Sequence, residues 1–249
     1  MSLLEIVGLT QIFPDGTVAL EDINLTIEQG DFVIIAGTNG SGKTVLTRHL
    51  NGLLSPTKGQ VFLEGEPISK DLLRTRMTIG LIFQNSDHQI VGQTVKEDVA
   101  FGPENLGIPR AEIEDRVKES LEAVGLERFA DHSSHTLSGG QKKRLAIAGI
   151  LAMQPKIIIL DEPFAGLDYP GVVQVLREIV VLHRKGHTLI LVTHELDKVL
   201  AHANRLVVIE KGRIVRDDRP ENVIDDVEAF GIKKPIGVGR EVETMTWLK

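Results

Sequence analysis

The run GTNGSGKT at residues 37–44 fits G-x-x-x-x-G-K-[S/T], a spacing that serves phosphate chemistry. Its glycines let backbone N–H groups turn inward toward phosphate oxygens. A helix opening at the end of the run adds partial positive charge. The whole stretch, Gly37, Thr38, Asn39, Gly40, Ser41, Gly42, Lys43 and Thr44, is therefore a candidate cradle for a nucleotide's phosphates. Lys43 has the reach for the β- and γ-phosphates, and the Thr44 hydroxyl is a ligand for Mg²⁺. The competing reading, a chance glycine turn, is weakened by the apolar run FVIIA before the loop and the helical pattern after it.

Two acids follow far downstream. IIILDE ends four apolar residues with Asp161 and Glu162. Open parallel sheets hold ligands at the carboxyl ends of their strands, so Asp161 is placed to hold Mg²⁺ and Glu162 to polarise an attacking water. His194 closes the next apolar run, TLILVTH, and is expected at the same edge near the γ-phosphate. The other histidines, including the pairs in DHSSH and at His183 and His187, lack enough partners for a metal site.

A second glycine turn, LSGGQ at 137–141, opens another helix. Ser138 and Gln141 fit an S-x-x-Q capping box, a purely structural use of the motif. Gly139 and Gly140 also leave the helix N-terminus bare of side chains, so an anion can approach it. One rigid chain cannot easily bring this turn onto the γ-phosphate that its own 37–44 loop holds. Two chains meeting head to tail across two nucleotides can.

The elements that must position these groups are legible in outline. Hydrophobic residues make up 42% and charged residues 25%, as in an ordinary globular protein, and with 4% aromatics the core must be aliphatic. Cysteine is absent, which excludes disulfides and thiolate metal sites. The net charge of −7 argues against a general nucleic-acid binder. No apolar run approaches the roughly 20 residues that span a bilayer, and the start MSLLEIVGLTQIF is a poor signal peptide. A cytosolic chain is expected, with any membrane association supplied by a partner.

Residues 3–13 and 18–27 alternate as half-buried strands do, and strands are also expected at QVFLEG and MTIGLIFQ. A mostly helical stretch over about 94–152 interrupts the α/β rhythm; within it Ile113, Val117, Leu121 and Val124 share one helix face that Gly125 ends. Strand, helix, strand, short helix and strand then alternate through RLVVIEKG, as in a parallel sheet with packed helices. Residues 231–249 carry the only tryptophan and no readable pattern.

In order, GTNGSGKT, Gln84, LSGGQ with KKR after it, IIILDE, AGLD and His194 resemble the ATP-binding-cassette ATPases over nearly the whole chain. That resemblance implies an α/β fold of the P-loop NTPase type: a mainly parallel core sheet, an N-terminal antiparallel β part and a helical signature subdomain. It makes residues 1–230 the ATPase domain and 231–249 a tail that either reinforces a dimer or has no role. ATP and Mg²⁺ become the ligands, with Lys43, Gln84, Glu162 and His194 as catalytic groups and Thr44, Gln84 and Asp161 around the metal. The turn of Ser138, Gly139, Gly140 and Gln141 completes the ATP site of a second subunit, and Asp168 crosses the dimer interface or caps a helix, or both. Phe13 stands where an aromatic, often tyrosine, stacks on adenine; a core strand residue is its alternative. Gln84 corresponds to the loop that senses Mg²⁺ and contacts the membrane partner, unless it is a plain strand end.

Residues 83–107, FQNSDHQIVGQTVKEDVAFGPENLG, are similar to the ATPases of energy-coupling-factor and cobalt-type importers, with Ser86 where proline is common. The likeness implies uptake of a vitamin or metal ion and a place on the cytoplasmic face of the membrane. The implied partners are a second cassette, identical or paralogous, transmembrane subunits and a separate substrate-binding membrane protein; nucleic acid is not among them. A helix just after Gln84 would pass the nucleotide state to a docked partner, Val99 and Phe101 either packing inward or receiving a partner's helix. A soluble cassette acting on a macromolecule is the rival reading, disfavoured by the acidic balance, the single cassette and the absence of a coiled-coil insertion. A non-catalytic sensor would carry a defect at Lys43, Glu162 or His194, and none is present.

Overall fold

A computed structural model describes residues 2–235 and 242–248. The chain opens with a hairpin, β1 (Leu4–Ile12) and β2 (Val18–Ile27), and enters β3 (Phe32–Ala36), whose five residues are all buried. Helix α1 (Lys43–Leu50), strands β4 (Lys58–Leu63) and β5 (Glu66–Pro67), helix α2 (Leu72–Thr78) and strand β6 (Ile79–Ile82) follow. Three helices come next: α3 (Val95–Asn105), α4 (Arg110–Ala123) and α5 (Gly139–Leu151). Then β7 (Ile157–Asp161), α6 (Tyr169–Arg184), β8 (Thr188–Val192), β9 (Arg205–Glu210), β10 (Arg213–Asp218) and α7 (Pro220–Val223) complete the main elements.

Two sheets result. The N-terminal sheet is antiparallel, in the order β2-β1-β4-β5. The other runs β10-β9-β3-β8-β7-β6, parallel throughout except for the edge strand β10. Strands β3, β7 and β8 are buried on both faces, as covered parallel strands must be, and are apolar except for Asp161 and Thr188. Their alternation divides the core. Phe32, Ile34 and Ala36 pack with the helices, whereas Val33 and Ile35 pack with α1 and the antiparallel sheet.

The helical stretch forms as expected over α3–α5; Ile113 and Leu121 are buried on α4's inner face and Val124 is buried at its C-cap. Pro109 precedes α4 as its N-cap. The expected strand MTIGLIFQ is shorter than its apolar run: Met77 and Thr78 finish α2, and β6 stops at Ile82. The Gln89 side chain ends it, accepting from the Phe83 N–H at 3.2 Å and donating to the Leu81 carbonyl at 3.1 Å. The short helix expected after His194 is two 3₁₀ turns, 196–198 and 200–202.

The described part of the tail packs on the body. Ile232, Val242 and Met245 join the helix-side core, the Ala201 N–H donates to the Met245 carbonyl at 3.0 Å, and the Trp247 N–H donates to that of Lys198 at 3.2 Å. Residues 236–241 and 249 of the tail lie outside the described residues.

Candidate active site

Four neighbouring strands, β3, β8, β7 and β6, deliver the chemistry at their carboxyl ends. At or just beyond those ends come the 37–44 loop, His194, the Asp161–Glu162 pair (Asp161 being the last residue of β7) and Gln84 respectively. Parallel register aligns these ends, so residues over a hundred positions apart meet at one edge.

The 37–44 loop folds around its own backbone. Gly42 is the N-cap of α1 at φ +105°, a conformation closed to ordinary side chains, and no side chain caps the helix. The first N–H groups of α1 are thus left for a ligand. Lys43 is buried and donates to the Gly37 and Thr38 carbonyls at 2.8 and 2.9 Å. Burial pushes its ammonium below the usual lysine range, against the opposing pull of Glu162 and Asp161. Ser41 Oγ is buried without a hydrogen-bond partner.

Asp161 is 3% exposed. Burial raises its carboxyl above the usual range, opposed mainly by a hydrogen bond from Thr44. Its Oδ1 is buried with no partner. An orphaned carboxylate oxygen beside a threonine hydroxyl is a hard-oxygen donor set, and it fits Mg²⁺. Thr44, Asp161 and Gln84 line one cleft of about 500 Å³.

Glu162 adopts φ +47°, an unusual conformation for a non-glycine residue and one that concentrates at functional sites. Its N–H bonds the Val192 carbonyl at 2.9 Å, tying it to the end of β8. From that position Glu162 Oε1 meets His194 Nδ1 at 2.9 Å. The carboxylate is nearly buried while the imidazole is half exposed, so the pair presents one face to solvent.

Ser138–Gln141 line a different cleft, of about 390 Å³, shared with Gly166, Leu167 and Asp168. The capping box forms: the Ser138 N–H donates to Gln141 Oε1 at 2.8 Å, and the Gln141 N–H reaches Ser138 Oγ at 3.4 Å. A Cβ on Gly139 would meet nothing within 4 Å, and one on Gly140 only ordinary contacts at 3.8 and 3.9 Å. Asp168 caps α6, accepting from the Gly171 N–H at 3.0 Å.

Phe13 lies one residue beyond β1, half buried in the turn to β2, its N–H bonded to the Thr17 carbonyl at 2.9 Å; it is not a core strand residue. Gln84 is exposed two residues beyond β6, outside the strand. Val99 is fully buried and packs inward, whereas Phe101 is 50% exposed on the same helix. No α-helix directly follows Gln84; a loop intervenes before α3, anchored by Asp98, which accepts from the Val91 and Gly92 N–H groups at 2.7 and 2.8 Å.

Sequence reasoning missed Lys143. It is 2% exposed and donates to the Phe83 and Gln84 carbonyls at 3.1 and 2.7 Å, joining the helix that LSGGQ opens to the Gln84 segment. Burial lowers its ammonium to about 8. The available signal was weak: in QKKR only the helical turn decides which lysine faces inward.

The family model described as "ABC transporter" matches residues 20–165. The chain belongs to the ABC transporter ATPase family. This ABC ATPase is 50% identical over 233 residues to the energy-coupling factor transporter ATP-binding protein EcfA of Methanocaldococcus jannaschii, covering 92% of this chain and 84% of the relative. Its fold is similar to that of cbiO1 from Clostridium perfringens, part of the ABC transporter complex cbiONQ, with TM-score 0.83, 38% identity and 92% of each chain covered. It is also similar to a dimeric ATP-binding cassette, MJ0796, in a post-hydrolysis state bound to ADP and Pi: TM-score 0.78, 30% identity, 87% of this chain and 98% of that one. The cassette is an energy-coupling-factor-type ATPase that binds and hydrolyses ATP. Among its described residues no helix is long and apolar enough to cross a membrane.

Proposed function

We propose that this ATPase powers a membrane importer of the energy-coupling-factor or cobalt type, which takes up a vitamin or a transition-metal ion. The observation that carries the hydrolytic reading is the Glu162–His194 bond, at the edge where Lys43 and Asp161 also end. Glu162 accepts a hydrogen bond from the attacking water and orients it, and His194 holds the carboxylate and faces the γ-phosphate. Lys43 leaves the loop carbonyls for the β- and γ-phosphates, and the open N-terminus of α1 receives the phosphate charge. Phe13 stacks on adenine. Thr44, Asp161 and Gln84 would hold Mg²⁺, which when bound supplies charge neutralisation on the phosphate oxygens.

The second half of each ATP site comes from another cassette, identical or paralogous. Its Ser138–Gln141 turn approaches the γ-phosphate from the opposite side, and Asp168 stands at the contact. The room at Gly139 and Gly140 supports this, since none of the described residues requires glycine there. Loss of the γ-phosphate lets the pair reopen. That motion passes through Gln84 and 87–107, with Phe101 exposed toward a partner, to transmembrane subunits and a separate substrate-binding membrane protein. The chain then sits peripherally on the cytoplasmic face of the membrane. The names of the relative EcfA and of the cbiONQ complex support the transport reading.

The test is purification of the tagged chain from detergent-solubilised membranes, followed by ATPase assay. Recovery with membrane-spanning subunits that raise its turnover is the expected result. A chain recovered alone, and stimulated instead by ribosomes or nucleic acid, would favour a soluble cassette.

A further inference from the structure

The β7–α6 loop, the loop after β8 and the tail segment 242–248 converge on one stack of side chains. Phe164 follows Glu162 by two residues and is 2% exposed. Lys198 follows His194 by four and is also buried. Tyr169 is the residue after Asp168. Lys198 Nζ lies 5.7 Å from the Phe164 ring centre and 4.7 Å from the Trp247 ring centre. Trp247 in turn packs on Tyr169, ring centres 5.2 Å apart. Its indole N–H donates to Asp197 at 3.1 Å, and Lys198 also pairs with Glu195.

Segment 242–248 is fixed there by further bonds. His202 Nε2 meets Thr246 Oγ1 at 2.7 Å, besides the backbone bonds at Met245 and Trp247. A cation over an aromatic face is a directional contact, here made to two rings, and a packed tryptophan adds a large rigid surface. The order Phe164–Lys198–Trp247–Tyr169 therefore ties together the loops after β7 and β8 and the start of α6.

We propose that Trp247 and Lys198 are positioning residues for hydrolysis, holding the loops of Glu162, His194 and Asp168 in one arrangement. The inference rests on the roles given to those three residues above. Neither Trp247 nor Lys198 lines the Thr44–Asp161 cleft or the Ser138–Asp168 cleft. Their loss misplaces groups that act in the transition state and leaves ATP binding, centred on the 37–44 loop, largely intact.

Trp247 is the chain's only tryptophan, so its emission reports on the stack directly. With the full chain carrying Glu162→Gln, MgATP should change that emission with the same saturation as nucleotide binding measured separately. In the otherwise native chain, Trp247→Ala and Lys198→Met should each lower kcat about tenfold and change KM by less than about twofold, with Trp247→Phe restoring most of the rate. Lys198→Met keeps segment 242–248 and tests the stack even if Trp247→Ala folds poorly. Emission unmoved by saturating MgATP, or wild-type kcat in Lys198→Met, overturns the inference while leaving the site reading intact. Near-normal hydrolysis in Glu162→Gln overturns that reading and this inference together.

Discussion

A Cβ on Gly42 would stand 2.6 Å from the Ala19 carbonyl oxygen and 2.8 Å from a Leu20 methyl, whereas a Cβ on Gly139 would stand in open space. Both glycines open helices that the sequence marks as anion sites. The first is demanded by its own chain, through a positive φ and a close backbone approach. The second is at no such position, and its helix is already capped by Ser138 and Gln141. A glycine that its own chain does not need leaves space for something outside the chain. On this account the 37–44 loop is built to its own chain's demands, and the 138–141 turn is left open to complete the ATP site of a partner.

Several substitutions can break or sharpen that contrast. The largest effect is expected at the hydrolytic edge. Glu162→Gln should keep ATP affinity and lower kcat roughly 10²- to 10³-fold, the range of a lost general base; near-normal turnover would remove Glu162 from its role. Gly42→Ala should cost about 3 kcal/mol of stability, from backbone strain plus overpacking, and lower the denaturation midpoint. Gly139→Asp should leave that midpoint unchanged or higher, because an acid in a first helical turn is favourable. It should nevertheless lower turnover at least about tenfold by repelling the partner's phosphates. If Gly139→Asp instead destabilised the isolated chain as Gly42→Ala does, the contrast would collapse.

The smallest effect concerns Lys143, which links the two regions. Its ammonium loses its proton near pH 8 when folded, whereas an unfolded lysine keeps it to about 10.4. Between those values the unfolded chain binds more protons, so stability rises with pH. Relative to Lys143→Met, the native chain should gain about 1 kcal/mol between pH 8 and pH 9 in urea titrations. A flat difference would mean the lysine is not held as described.

Local pattern carried much of this into the sequence. Alternation and apolar runs marked the strands, and loop spacing marked Lys43, Thr44, Asp161, Glu162 and His194, which the structure brings to one edge. Ser138 and Asp168 were readable as caps because capping depends on residues three apart. What escaped depends on long-range approach. Lys143 reaches carbonyls some sixty positions away, and Trp247 finds Lys198 and Tyr169 only after the chain returns. The early end of β6 likewise turns on one side chain, Gln89, standing in for a strand partner.

The central claim is that each ATP is held between two cassettes. Light scattering on Glu162→Gln at saturating MgATP tests it most directly, with Glu162→Gln/Gly139→Asp as control. The account predicts a doubled mass, or pairing with a paralogue when one is supplied, for the first protein and a single-cassette mass for the second. A Glu162→Gln chain that stays single with ATP bound and every candidate mate present, while the wild-type cassette turns over rapidly alone, would contradict it.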